Sequence, residues 1–110
     1  MEYFDELKEL IDRYKDKGIE YGKEVSYLEK RNSCSIEEIN SEILSLSNVT
    51  KIEKQKKDGE ERYVVFFVYS RTKGRTYAIT FRDKIRIITA YPIGKKTLKK
   101  YFKKRFKKSN

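Results

Sequence analysis

The first apolar residues of the chain recur every three or four positions, as on one face of a helix. This spacing, followed by a glycine at position 18, predicts an amphipathic helix that ends before Gly18. The residues of its apolar face are Tyr3, Phe4, Leu7, Leu10, Ile11 and Tyr14. A shorter helical stretch is indicated by Tyr21, Val25 and Leu28.

A capping signal predicts a further helix over residues 35–46. Ser35 is followed three positions later by Glu38, a spacing that lets side chains cap the first turn of a helix. The apolar residues that follow are Ile36, Ile39, Ile43, Leu44 and Leu46.

After Asn48 the pattern changes, because β-branched and aromatic residues dominate as they do in strands. Four runs are predicted to be strands: Val49–Lys57, Arg62–Ser70, Arg75–Arg82 and Lys84–Tyr91. The turn signals between them are Asp58-Gly59 and Lys73-Gly74, which tolerate positive φ, and Arg82-Asp83 at the last reversal. Connections this short join antiparallel neighbours, so the runs predict a four-stranded antiparallel meander.

The pattern within the runs predicts their places in the sheet. Arg62–Ser70 is apolar at both odd and even positions, so we expect a central strand with packing on each face. Val49–Lys57 is polar and rich in lysine, which suits an edge strand. The predicted fold class is α+β, a single domain with helices (1–47) packed on the antiparallel sheet (48–92) and a basic C-terminal helix (93–110). We expect the first helices to cover one face of the sheet and to leave the other partly open for a ligand.

The formal charge of +10 is concentrated in the basic segment, residues 95–110, which holds eight lysines, one arginine and no acid. Residues 1–94 are nearly neutral, with 18 basic and 17 acidic side chains. This asymmetry indicates a polyanionic partner, with nucleic acid the first candidate. The segment has an apolar helical face, which favours docking on the domain over a solvated, fraying end or a weak contact with anionic membranes. That face consists of Leu98, Tyr101, Phe102 and Phe106.

Composition narrows the possible chemistry. The chain has no histidine and one cysteine, Cys34, so it offers no Ser-His-Asp triad, no internal disulfide and no zinc-ligand spacing. We therefore expect neither a metal nor a cofactor. There is no eighteen-residue apolar run and no signal-peptide pattern, which predicts a cytoplasmic protein without membrane contact. High lysine, glutamate and isoleucine content is typical of thermophiles.

Basic and aromatic residues alternate in the second half of the chain. Arginine matches phosphate geometry and tyrosine stacks on bases, so this pattern predicts an RNA-binding surface. The alternative is that the arginines keep the sheet soluble and the tyrosines fill the core. The predicted nucleic-acid contacts are Arg71, Lys73, Arg75, Arg82, Lys84, Lys95, Lys96, Lys99, Lys100, Tyr101, Lys103, Lys104 and Arg105.

The last predicted strand carries a local motif, Lys84-Ile85-Arg86-Ile87-Ile88-Thr89-Ala90-Tyr91-Pro92. It resembles the Ile-Arg-Ile-Ile-(Ser/Thr)-Ala strand of BrnT-like proteins and the Thr-Ala-Tyr-Pro of several toxin relatives. With helices before an antiparallel meander, the chain is similar in layout to small ribonuclease toxins of the barnase/EndoU/colicin/RelE-like superfamily, including RelE and BrnT. The resemblance covers roughly the last half of the chain.

This resemblance implies a toxin-antitoxin type endoribonuclease that cleaves RNA without metal, by attack of a 2′-hydroxyl on the adjacent phosphodiester. It implies that Arg86 clamps the phosphate, that Tyr91 and Tyr77 transfer protons or stack on bases, and that Thr89 hydrogen-bonds the phosphate. RNA, including ribosome-bound mRNA, is the implied substrate, and an acidic antitoxin is the implied partner. The alternative is a non-catalytic nucleic-acid-binding protein that uses the same surface.

Overall fold

The computed structural model describes residues 1–23, 25 and 35–100. Its helical elements are α1 (Phe4–Tyr14), a 3₁₀ turn (Lys15–Lys17), α2 (Ile36–Ser45) and residues 95–100, which we call the basic helix. Its strands are β1 (Ile19–Tyr21), β2 (Val49–Lys57), β3 (Glu60–Val68), β4 (Gly74–Arg82) and β5 (Lys84–Pro92). The predicted α+β class is confirmed.

The strands form a five-stranded mixed sheet in the order β1-β5-β4-β3-β2. Strands β2 to β5 pair antiparallel in succession, close to the four predicted runs. The prediction of a purely antiparallel, four-stranded sheet is wrong, because β1 adds to the β5 edge in parallel, with Glu20 opposite Arg86. Of the residues predicted to form a short second helix, Tyr21 lies in β1, Val25 is helical, and Leu28 lies outside the described residues. A strand of three residues is too short to show a period-two pattern.

Strand β2 lies at the edge of the sheet, as predicted, whereas the middle strand is β4 rather than β3. Side chains on both faces of β4 are buried. Tyr77 and Ile79 are buried on one face, and Thr76 and Thr80 are buried on the other. The apolar residues at both odd and even positions of β3 thus predicted an interior strand correctly. They did not show that its neighbour β4 is the middle strand.

The two helices cover one side of the sheet, the helix face, and bury a common core against it. That core includes Leu7, Ile11, Ile39, Ile43, Val65, Phe67, Tyr77, Ile79, Ile85 and Ile87. On the other side, the open face, a smaller apolar cluster joins the sheet to the C-terminal part of the chain through Val68, Ile93 and Leu98, with Phe66 beside them.

Helix α1 is tied to the sheet by polar contacts of its Glu6 side chain. The hydroxyl of Tyr63 donates a hydrogen bond to Glu6 of α1, and Lys54 Nζ lies 2.9 Å from the same carboxylate. The hydrogen bonds from Tyr63 and Lys54 lower the pKa of Glu6. Burial, aided by the contact with Glu6, raises the pKa of Tyr63 to about 12. These contacts fix α1 across β2 and β3.

Helix α2 begins at the predicted cap. Ser35 Oγ accepts the backbone N–H of Glu38 at 3.2 Å. The Glu38 carboxylate does not turn back to the helix start but pairs with Arg75 of β4 at 3.4 Å. The side chain expected to complete the capping box therefore anchors the helix to the sheet.

The predicted turns are partly confirmed. Asp58 and Gly59 have φ of 53° and 79°, as a tight hairpin requires, and Asp83 has φ of 65° at the last reversal. The prediction of positive φ at Lys73-Gly74 is wrong. Ser70 Oγ accepts the backbone N–H of Lys73 at 3.1 Å, so a side chain holds that turn instead.

Gly74 is needed for close packing rather than for a turn. A Cβ atom at this position would lie 2.8 Å from Ile93 Cδ1, 2.9 Å from the carbonyl oxygen of Phe67 and 3.1 Å from Leu98 Cδ2. The missing side chain therefore lets the C-terminal part of the chain pack directly on the start of β4.

Candidate nucleic-acid interface

Strand β5 presents its cationic side chains on the open face. Ile85 and Ile87 are fully buried on the helix face. Because successive side chains of a strand point to opposite faces, Lys84 and Arg86 project to the other side. Arg82 of β4 is paired with Lys84 and lies on the same face. Lys84 and Arg82 are exposed and Arg86 is half-buried. Three predicted RNA-site residues are thereby brought together at one end of the strand.

A β-bulge in β5 keeps the remaining motif residues on the same face. The register shifts around Ile88, after which Thr89 pairs with Ala78 and lies on the open face. Without the extra residue, Thr89 and Tyr91 would point toward the helices. With it, Thr89 and Tyr91 share the open face with Arg86, and Tyr91 is 50% exposed.

Arg86 is held by an acid that the sequence did not reveal. Its Nε lies 3.2 Å from Glu20 Oε2, and the two side chains are 40% and 54% exposed. Parallel pairing of β1 with β5 places Glu20 directly beside Arg86. The ion pair orients the guanidinium and offsets part of its charge. The sequence could not predict this partner, because β1 is too short to show the pattern of a strand.

The basic helix docks on the open face through its apolar side. Leu98 is fully buried in the cluster with Val68 and Ile93, and its backbone N–H donates to Gly94 O at 3.1 Å. Lys96 and Lys100 are four positions apart on the side opposite Leu98. The exposed lysines of this helix are Lys95, Lys96, Lys99 and Lys100. Tyr101, Lys103, Lys104 and Arg105 lie outside the described residues.

Two predicted site residues lie on the other side of the sheet. Tyr77 is fully buried on the helix face, where its hydroxyl donates to Glu42 and burial raises its pKa well above the usual value. The guanidinium of Arg75 lies 3.2 Å from Glu42 and 3.4 Å from Glu38, over the ring of Tyr69. Alternation along β4 places Tyr77 and Arg75 on the helix face, so the structure does not bring them together with Arg86 on the open face.

The open face therefore carries a row of polar and cationic side chains along β5, which together with the lysines of the basic helix we call the β5 surface. It runs along the strand for about 27 Å, at about 3.4 Å per residue, and continues onto the basic helix. Arg71 and Lys73 are exposed in the β3–β4 turn, at the end of the sheet where this helix docks. The β5 surface consists of Arg82, Lys84, Arg86, Thr89, Tyr91, Lys95, Lys96, Lys99 and Lys100.

No family model, curated protein or solved structure matches the chain. The resemblance to RelE-like toxins stays a prediction from the residues of the last strand. Among the described residues, no group of three or more histidine, cysteine, aspartate or glutamate side chains is placed to hold a metal ion. No helix in the described ranges has the length and apolar character needed to cross a membrane. Function is therefore inferred from the β5 surface itself.

Proposed function

We propose that the protein binds single-stranded RNA along the β5 surface. The observation that supports this most strongly is the shared orientation of Arg86, exposed Tyr91 and the lysines of the basic helix on the open face. Cationic groups bind the phosphates, and an exposed aromatic ring stacks on an unpaired base. A base within a duplex is already stacked on its neighbours, which favours an unpaired strand as the ligand.

The lysines of the basic helix give the proposal a quantitative test. For single strands, each phosphate neutralised adds about 0.7 to the negative slope of log K against log salt concentration. Replacing both Lys96 and Lys100 by glutamine should therefore reduce the slope by about 1.4. The matched control replaces Lys8 of α1 and Lys15 of the 3₁₀ turn, which are exposed on the other side of the sheet. Equal slopes for both double variants and the wild type would contradict the proposal.

The Arg86–Glu20 pair tests the middle of the β5 surface. Arg86→Ala should weaken RNA binding, because a phosphate loses its guanidinium partner. Glu20→Gln should strengthen it, because the amide no longer competes with phosphate for Arg86 and no longer repels it. Filter binding of oligouridine at several salt concentrations measures both. A Glu20→Gln variant that binds RNA more weakly would show that the ion pair is needed to position Arg86 and is not a competitor.

The proposal also predicts that the protein prefers single-stranded RNA to duplex RNA. Oligouridine should compete for the protein better than a duplex RNA with the same number of phosphates, because only unpaired bases can stack on Tyr91. Tyr91→Ala should reduce this preference and leave duplex binding unchanged. Equal competition by duplex RNA or by duplex DNA would indicate binding through phosphate charge alone.

A second function, metal-independent endoribonuclease activity, is favoured by the placement of Arg86, Thr89 and Tyr91 on one face of β5. In this reaction the 2′-oxygen loses its proton to a base and bonds to phosphorus. The bond from phosphorus to the 5′-oxygen breaks, and that oxygen takes up a proton. Arg86 would stabilise the charged phosphorane, Thr89 would donate a hydrogen bond to it, and Tyr91 would donate the proton or stack on a base.

Cleavage is tested by incubating the protein with total RNA and with ribosomes in EDTA and mapping the new ends. Cyclic phosphate ends formed by the wild type, and absent with Arg86→Ala and Tyr91→Phe, would establish the activity. Intact RNA that still shifts on a gel would leave RNA binding as the function. The same cationic surface suits an acidic antitoxin segment, which would then compete with RNA.

A further inference from the structure

A pocket of about 260 Å³ opens beside the β3–β4 turn, close to the end of β5. Its apolar walls include the ring of Tyr69 together with Pro92 and Ile93, and Thr72 and Lys73 of the turn complete it. Pockets for drug-sized ligands usually have volumes of about 300–1,000 Å³. This pocket is below that range and has the size for one planar ring system.

The charge inside the pocket is balanced, while the charge around it is positive. Arg75 lines the pocket, but its guanidinium already pairs with Glu42 at 3.2 Å and with Glu38 at 3.4 Å. A phosphate placed there would meet these two carboxylates. Lys73 and Lys95 are exposed nearby, in the turn and just after β5. The arrangement favours an uncharged ring inside and phosphates outside.

We propose that this pocket is a subsite for one unpaired nucleobase of the RNA. The base lies against Tyr69 and Pro92, its flanking phosphates contact Lys73 and Lys95, and the hydroxyl of Thr72 faces the edge of the base. This subsite rests on the proposed RNA-binding function. It extends the β5 surface around the end of the sheet and gives Lys73 a role beyond general charge.

The test fills the pocket and compares two RNAs of equal charge. Thr72→Phe places a ring at the pocket, and the control Ser41→Phe places one at an exposed site of α2, on the helix face and outside the β5 surface. The ligands are an oligouridine of about ten nucleotides, within the site size of single-strand binders, and the same backbone without bases. Thr72→Phe should lower affinity for oligouridine about tenfold, the value of one stacked base. It should leave affinity for the abasic strand unchanged, and Ser41→Phe should change neither affinity.

Equal losses for both RNAs, or for neither, would overturn the subsite and leave RNA binding standing. If the wild type binds neither RNA, the proposed function fails and the pocket is judged separately by NMR. Titration with uridine monophosphate should then shift the backbone amides of Thr72 and Ile93 in the wild type and in Ser41→Phe, but not in Thr72→Phe. Absence of these shifts in the wild type would overturn the pocket.

Discussion

Replacing Gly74 by alanine tests whether the C-terminal part of the chain packs as closely on β4 as the structure shows. The new Cβ would lie 2.8 Å from Ile93 Cδ1, 3.1 Å from Leu98 Cδ2 and 2.9 Å from the carbonyl oxygen of Phe67. The two side-chain ends can move aside. The carbonyl belongs to the backbone of β3, which pairs with β4 at this point, so it cannot yield without disturbing the ladder.

Two effects of opposite sign decide how much Gly74→Ala changes the free energy of unfolding. Overpacking of a well-filled site costs about 1–3 kcal/mol. Removing a glycine restricts the unfolded chain and stabilises the folded one by about 0.4–1 kcal/mol. Because a backbone atom is involved, the steric cost prevails. We expect Gly74→Ala to lower the free energy of unfolding by about 1–2 kcal/mol.

Urea unfolding followed by far-UV circular dichroism measures this change, and Gly94→Ala is the matched control. A Cβ at Gly94 would meet no atom within 4 Å. Its gain in chain entropy and its weaker helix cap oppose each other, so the control should differ from the wild type by less than about 0.5 kcal/mol. Gly74→Ala should also speed hydrogen exchange at the Leu98 amide. A Gly74→Ala protein as stable as the control would refute the close approach.

Three substitutions away from the β5 surface test the reasoning about burial and capping. Tyr77→Phe removes the hydrogen bond to Glu42 and should cost about 1 kcal/mol in urea unfolding; RNA affinity should not change, and a loss of affinity would contradict the buried placement. Ser35→Ala removes the cap of α2 and should cost about 1 kcal/mol, whereas Ser41→Ala, at an exposed site within the helix, should be neutral or stabilising. The pKa of Tyr63 is raised to about 12 from 10.0, so its folded form keeps a proton that the unfolded form releases. Stability should therefore fall as the pH rises from 10 to 12, and Tyr63→Phe should flatten that fall; parallel curves would contradict the assignment.

The elements that could be predicted from the sequence are those with local signals. The helical spacing that leads to Gly18, the Ser35 cap and the Asp58-Gly59 hairpin each depend on residues that are neighbours in the chain. Their structures are as expected: Gly18 has φ of 101° after the first helix, and Ser35 accepts the N–H of α2. The four long strands belong to the same class, because each is a run of many residues rich in β-branched and aromatic side chains.

The elements that were missed depend on contacts between distant parts of the chain. The role of Gly74 comes from the approach of Ile93 and Leu98, and no turn signal contains that information. The partner of Arg86 comes from a strand of three residues, Ile19–Tyr21. To predict either the role of Gly74 or the partner of Arg86, one must know which distant part of the chain packs beside it.

The site residues divide in the same way. The burial of Tyr77 could be predicted from the sequence, because Tyr77, Ile79 and Phe81 lie two positions apart and form the apolar side of β4. Arg75 has the same parity, but its charge favoured an exposed position. The carboxylates of α2, Glu38 and Glu42, explain why this arginine points toward the helices.

The parallel pairing of β1 with β5 also fixes when the candidate site can form. Glu20 and Arg86 face each other across two strands although 66 positions of the chain separate them. Contacts between such distant segments form slowly, because a long loop must close before they contribute any stability. During synthesis on the ribosome, the residues of β5 emerge after nearly all the rest of the domain. The helices and the β2–β3 hairpin can therefore fold while the β5 surface is still missing its principal strand, and the proposed affinity for RNA would arise only after β5 has emerged.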